Sequence, residues 1–281
     1  MPESTKRLSY PYLIWMTLTI VIPMVLVFFY SIFEPGQSPL AFHFTLEHYR
    51  QALTPLFLTV IWDSFLIAVI STIICLMIGY PAAWAITRIK SRRQSTTLLL
   101  FIMPMWINML LRTYAWITIL SRNGILNNVL GFFNLPAQNL LYTNFAVILG
   151  MVYNFLPFMI LPIYTAILKV DKNLIDAAQD LGANPARTFL KVTLPLTIPG
   201  IITGITMVFL PAMSSFVIPE LLGGGQFMMI GNLIERQYLF TGNWYFGSAL
   251  AMLLMVFILI SVWVMKRVDP SAASGKGALP W

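Results

Sequence analysis

Charge is scarce in this sequence. Only 10% of its 281 residues are Asp, Glu, Lys or Arg, while 58% are hydrophobic. A soluble domain carries about 25% charged residues, so lipid rather than water is the expected solvent. Cysteine is nearly missing. Cys75 stands alone in an apolar run, so no disulfide can form within the chain and the compartment cannot be read from cysteine usage. The two histidines, His43 and His48, share one stretch without a third ligand, which makes a poor metal site. No Gly-x-x-x-x-Gly-Lys-Ser/Thr sequence occurs. The run Gly223-Gly224-Gly225 continues into Gln226-Phe227 and reads as a flexible outer loop. A nucleophile–base–acid triad is missing too, and no clustered His, Asp or Ser site marks a membrane-embedded enzyme. Inverted repeats, which would suit a self-sufficient secondary transporter, are not evident.

What is present is long apolar runs. A hydrocarbon core of roughly 30 Å takes about 20 apolar residues as a helix. Six runs qualify, at residues 10–33, 61–87, 98–120, 144–168, 196–219 and 245–265. They predict an all-α polytopic membrane protein of six transmembrane helices. Residues 10–268 form one membrane domain between a polar N-terminus, 1–9, and a tail, 269–281. The first run is too long for a secretory signal and no small-residue cleavage pattern follows it. Gly79-Tyr80-Pro81 predicts a bend in the second helix. Pro157 and Pro162 interrupt the fourth; Pro195, Pro199, Pro211 and Pro219, with Gly200 and Gly204, punctuate the fifth. Such breaks suit helices that line a moving path, and plain packing kinks are the alternative.

Basic residues set the orientation. The N-terminus, residues 88–97, residues 169–194 and the C-terminus carry 2, 4, 4 and 3 of the 17 Lys and Arg. The opposite loops hold Arg50, Arg122 and Arg236, and Arg112 falls inside the third run. The positive-inside rule puts both termini in the cytoplasm. The net charge of +7 is thus a topology signal and gives no motive for a nucleic-acid partner.

One polar stretch, residues 171–199, stands between the fourth and fifth runs on that cytoplasmic side. Leu174, Ile175, Ala178 and Leu181 recur at helical spacing. Asn173 is a candidate N-cap, Gly182 a candidate stop, and Asn184-Pro185 a second start. Two short helices meeting near Gly182 are predicted, over about 172–191. An interfacial helix on lipid headgroups is one use. The mixed face argues against it: Asp171, Asp176 and Asp180 alternate with Lys172, Arg187 and Lys191, where an anionic membrane favours bases alone. Ala177-Ala178 beside Gly182 makes a low surface that suits a protein groove.

Asp176-Ala177-Ala178, Gly182, Val192, Leu194 and Pro195 resemble, in spacing throughout, the Glu-Ala-Ala loop of ABC importer permeases. Asp176 stands for the family Glu and Val192 for its Ile. Pro104-Met105-Trp106-Ile107-Asn108 with Arg112 and Tyr114, then Leu210-Pro211-Ala212-Met213, Gly223-Gly224, Ile230-Gly231-Asn232 and Gln237, are similar to spermidine/putrescine permeases, and to the first (PotB/PotH-like) of their two permease subunits. The resemblance implies the type I importer permease fold in a bacterial cytoplasmic membrane. It implies two ATPase subunits that bind ATP and Mg, a second homologous permease and an extracytoplasmic binding protein. This chain would itself hold no cofactor or metal and catalyse nothing. Asp176, Ala177, Ala178, Gly182, Leu194 and Pro195 would couple it to the ATPase, with other small solutes or cation complexes as alternative cargo.

A polyamine path needs acids or aromatic faces to replace water around ammonium groups. The candidates are Glu220 and Asp63 near the outer ends of the fifth and second runs, Trp106, Asn108 and Tyr114 in the third, and Tyr153 with Asn154 in the fourth. Packing, headgroup contact and the interfacial aromatic belt compete for each. Arg112 would repel a cation, so it is expected to pair with an acid or to snorkel outward.

Overall fold

The computed structural model describes residues 3–35 and 42–268. The tail 269–281 and part of the first outer loop, residues 36–41, lie outside them. Among the described residues, five helices are long and apolar enough to cross a membrane, and a sixth span appears when one sharply bent pair is counted as one. The residues divide into two compact units, Met1–Ile61 with Ile230–Phe257, and Trp62–Met229 with Ile258–Trp281.

In the first unit, α1 (Glu3–Met16), a π segment (Thr17–Val21) and α2 (Ile22–Ile32) form the first span. A short antiparallel hairpin follows, β1 (Phe33–Pro35) and β2 (Phe42–Phe44), with Glu34 opposite His43. Next come α3 (Glu47–Ala52) and the first residues of α4 (Pro55–Arg88), while α13 (Ile230–Leu239) and the start of α14 (Trp244–Val268) come from later in the chain. The ring of His48 stacks on Tyr245 at 6.2 Å and its Nε2 lies 3.5 Å from Glu34. Tyr49 donates to Ser31 at 2.9 Å.

The second unit holds most of α4, α5 (Ser91–Ile102), α6 (Met109–Leu120), α7 (Ile125–Phe132), α8 (Asn144–Leu168), α9 (Lys172–Asp180), α10 (Pro185–Thr188), α11 (Leu194–Ser214) and α12 (Val217–Gly223). Its core is α8, packed along α11 and against α12 and α6. Met151, Met159, Ile160 and Ile163 of α8 are fully buried with Met213, Ile218 and Leu222. Thr143 caps α8, accepting from Ala146 N. Pro157 and Pro162 do not break α8, nor Pro81 α4, nor Pro199 and Pro211 α11.

Three expectations change. The third span is not one straight helix. α5 tightens into a 3-10 turn at Met103–Trp106, the chain turns by 91°, and α6 restarts after Asn108. Pro104 and the extended backbone of Ile107 end the first piece, and Asn108 Oδ1 accepts from Leu110 N at 2.8 Å to cap the second. The loop at 121–143 contains α7. Asn127 anchors it, donating to the carbonyls of Ser121 and Gln138 and accepting from Gln138 N at 2.8 Å. The fifth span ends at Ser214, and residues 217–223 form the separate helix α12.

Candidate functional site

The stretch after α8 folds as a polar helix, a bend and a second helix. Asp171, not Asn173, caps α9, its carboxylate accepting from Asn173 N at 2.9 Å. The cause is register: the cap lies two residues earlier than the apolar pattern suggests. Gly182, at φ +81°, reverses the chain after α9 in the left-handed conformation that glycine adopts freely. Asn184 Oδ1 then accepts from Arg187 N at 2.8 Å, with Pro185 in the first helical turn. The second helix is not a separate short piece. It runs through a π segment (Phe189–Thr193) into α11, so Pro185–Ser214 is one span-length helix. No residue of α9 is buried. Asp176 and Ala177 are exposed and Ala178 is half-buried; beyond them Leu194 is half-buried and Pro195 exposed. Leu174 and Leu181 also face outward, at 48% and 89% exposure. An apolar stripe left open between acids and bases is a surface that can seat in a partner's groove.

The second helix is fastened to the end of α4. The ring of Phe189 meets Trp84 edge-on at 4.7 Å and Tyr80 at 5.7 Å. Tyr80 and Thr197 hydroxyls lie 3.0 Å apart, and Arg88 sits over Trp84 at 4.9 Å. Gln94 donates to the carbonyls of Thr87 and Ile89 at the end of α4, and Tyr164 of α8 donates to Gln94 at 3.5 Å. Sequence reasoning missed this cluster. Its one signal was the aromatic pair Tyr80 and Trp84 at helical spacing of four.

The candidate path residues are only partly brought together. Tyr153 is half-buried, with Trp116 edge-on at 5.5 Å and the Arg112 guanidinium at 6.0 Å. Trp116 and Tyr153 thus form an internal aromatic pair. Asn154 is buried and donates to Gly150 O at 2.8 Å, so it sits inside the core around α8. Trp106 and Tyr114, at 75% and 53% exposure, point away from the chain's own core, and Asn108 is used as the cap of α6. Asp63 is exposed on α4. Glu220 is exposed in the first turn of α12, the helix that packs on both α6 and α8. After it, Gly223 is buried as the last residue of α12 and Gly224, at φ +61°, lies against the ring of Tyr142. The Gly223–Gly224 pair is thus a tight helix end, contrary to the flexible loop expected. A groove of about 370 Å³ lies between α4, α11 and α14, lined by Phe65, Thr72, Ile205, Phe209 and Met265 among others. It offers no acid to an ammonium group.

A family model described as "Binding-protein-dependent transport system inner membrane component" matches residues 75–274. The chain is 42% identical over 259 residues to the spermidine/putrescine transport system permease protein PotB of Haemophilus influenzae, covering 91% of this chain and 90% of that one. It is 38% identical over 261 residues to the protein of the same name from Escherichia coli, covering 90% and 94%. Among solved structures, a bacterial alginate ABC transporter crystallised with an alginate pentasaccharide-bound periplasmic protein superposes at a TM-score of 0.80, with 17% identity over 96% of this chain and 95% of that one. At that identity the likeness concerns the fold.

Proposed function

The chain belongs to the family of binding-protein-dependent transport system inner membrane components, and on that premise we propose that it moves a polyamine, spermidine or putrescine, into the cell. It is a multi-pass membrane subunit of an ABC importer. The observation that carries the cargo is the alignment, along nearly the whole chain, with relatives named for spermidine/putrescine transport.

In this reading ATP and Mg²⁺ are bound by two ATPase subunits, a second permease completes the path, and an extracytoplasmic binding protein delivers the amine. Both termini and α9 face the cytoplasm. Asp176, Ala177 and Ala178 seat α9 in the ATPase, Gly182 fixes its angle, and Leu194-Pro195 carry the motion into α11. Closure of the ATPases does useful work only through contacts that differ between the inward-open and outward-open states.

The cargo path draws on Glu220 and Asp63 for charge, with Asn108 as a further polar group. Trp106 and Tyr114 supply faces that stabilise an ammonium by about 0.5–2 kcal/mol, depending on desolvation. Tyr153 and Asn154 shape the wall behind them, since Arg112 already occupies the Tyr153 face and Asn154 is buried.

Uptake by the assembled complex in proteoliposomes tests the cargo. Spermidine or putrescine should accumulate in an ATP-dependent manner and a non-amine solute should not. Stimulation by another solute class, with no response to either amine, would overturn it.

A further inference from the structure

We propose that Phe189 is the positioning residue that carries movement of α9 into the second membrane span, α4. The proposal rests on the importer reading and names the element that links its docking helix to the membrane.

Three observations support it. First, α9 contacts α10 and the π segment, so a displacement of the docked helix is delivered to residues 185–193. Second, Phe189 opens that π segment, its carbonyl accepting from Leu194 N, and its ring projects onto two rings of α4. A π turn holds one residue more than an α turn and is a recurrent feature of functional sites. Third, the contact has a second rung. Thr197, fully buried, meets the Tyr80 hydroxyl two turns further along the same helix. Tyr80 is thus held by both a ring and a hydroxyl from the α10–α11 helix, and Arg88 covers the outer face of Trp84. A rigid movement of residues 185–197 cannot occur without moving the end of α4 or breaking these contacts. Gln94 extends the connection to the start of α5 and to Tyr164 of α8. The acids and bases of α9 serve docking; Phe189 serves transmission.

The test uses the complete complex of both permeases, the ATPases and the binding protein in proteoliposomes, with spermidine as probe. The quantity read is cargo moved per ATP hydrolysed. In Phe189→Ala, uptake is expected to fall by about fivefold or more, the lower end of a coupling between sites, while ATP turnover persists, so the ratio falls with it. Phe189→Tyr retains a ring and restores the ratio. Trp84→Ala, which removes the other half of the contact from α4, reproduces the loss. A ring with a merely structural role gives a different result: uptake and ATP turnover decline together with the amount of assembled complex, and the ratio stays constant. That outcome, or normal uptake in Phe189→Ala, overturns the proposal. If spermidine fails to stimulate the unmodified complex, the cargo assignment is at fault, and the ratio is read with whichever solute does stimulate it.

Discussion

The guanidinium of Arg112 lies over the ring of Tyr153 at 6.0 Å. An acid partner or an outward-reaching side chain was the expectation for a cation inside a span. Instead Arg112 Nε and one terminal nitrogen are enclosed without a hydrogen-bond acceptor among the described residues. The aromatic face stabilises the charge, by about 0.5–2 kcal/mol. A double-mutant cycle between Arg112→Met and Tyr153→Leu, read from unfolding of the detergent-solubilised complex, should give a coupling of about that size. Arg112→Met alone should leave stability unchanged or raised, because a neutral side chain of similar volume removes an enclosed charge. Additive effects would show that the ring does not hold the cation.

Gly182 has φ +81°, and nothing lies within 4 Å of the place a Cβ would occupy. Any loss on substitution is therefore conformational and not steric. The left-handed region costs an ordinary L-residue roughly 1–2 kcal/mol and costs asparagine less. Uptake should rank Gly182, then Asn, then Ala, then Val, with all four proteins present in the membrane in similar amounts. A variant series ordered by side-chain volume alone, with Asn below Ala, would contradict this account.

Much of the fold was readable because membrane spans are written in composition. The fourth span was bounded from its sequence at 144–168, where α8 lies, since Thr143 and the return of polar residues mark both ends. The 91° break in the third span was not foreseen. In the sequence Pro104 and Asn108 stand out as motif residues; their backbone roles, one ending a helix and one capping the next, show only in the folded chain. The bend at Gly182 was legible because a glycine followed by Asn-Pro is local chemistry. The Phe189 cluster was not, because Tyr80 and Trp84 meet Phe189, and Tyr80 meets Thr197, only through tertiary packing across more than a hundred residues of sequence.

Two of the three acids of the proposed docking stretch, Asp171 and Asp176, have separable roles. Asp171 holds the start of α9 through its bond to Asn173 N. Asp176 has no hydrogen bond or ion pair among the described residues and is exposed. Asp171→Ala should cost about 0.5–2 kcal/mol of local helix stability, visible as faster amide exchange in α9. Asp176→Ala should leave that exchange unchanged and reduce the amount of ATPase retained on purification. Loss of α9 protection in Asp176→Ala would assign it to its own loop instead.

Glu220 is exposed in the first turn of α12, and the proposed cargo path runs past it. An exposed ion pair is weak, so Glu220→Gln should reduce spermidine uptake at low concentration by about two- to fivefold. The loss should shrink as salt is raised, since screening weakens the wild-type interaction too. Concentration-dependent uptake at two ionic strengths measures both effects. Identical half-saturation in the two proteins would remove Glu220 from the path.

At Gly200, α11 lies close against α8. A Cβ there would lie 2.7 Å from the Pro162 carbonyl oxygen and closer still to the Ala166 methyl. Backbone cannot yield as a flexible side chain does, so even Gly200→Ala forces the two core helices apart. A cost of about 1–3 kcal/mol is expected, measured as a lower thermal midpoint of the purified complex. Adding Ala166→Gly should recover only part of it, because the carbonyl contact remains. Gly131 supplies the contrast. It lies in α7 with nothing within 4 Å of its missing Cβ. Gly131→Ala should therefore stabilise by up to about 0.5–1 kcal/mol through helix propensity alone. Equal effects at the two positions would mean that helix packing does not govern either. Opposite signs would assign the glycine of the fifth span to packing, the alternative that the sequence had left open.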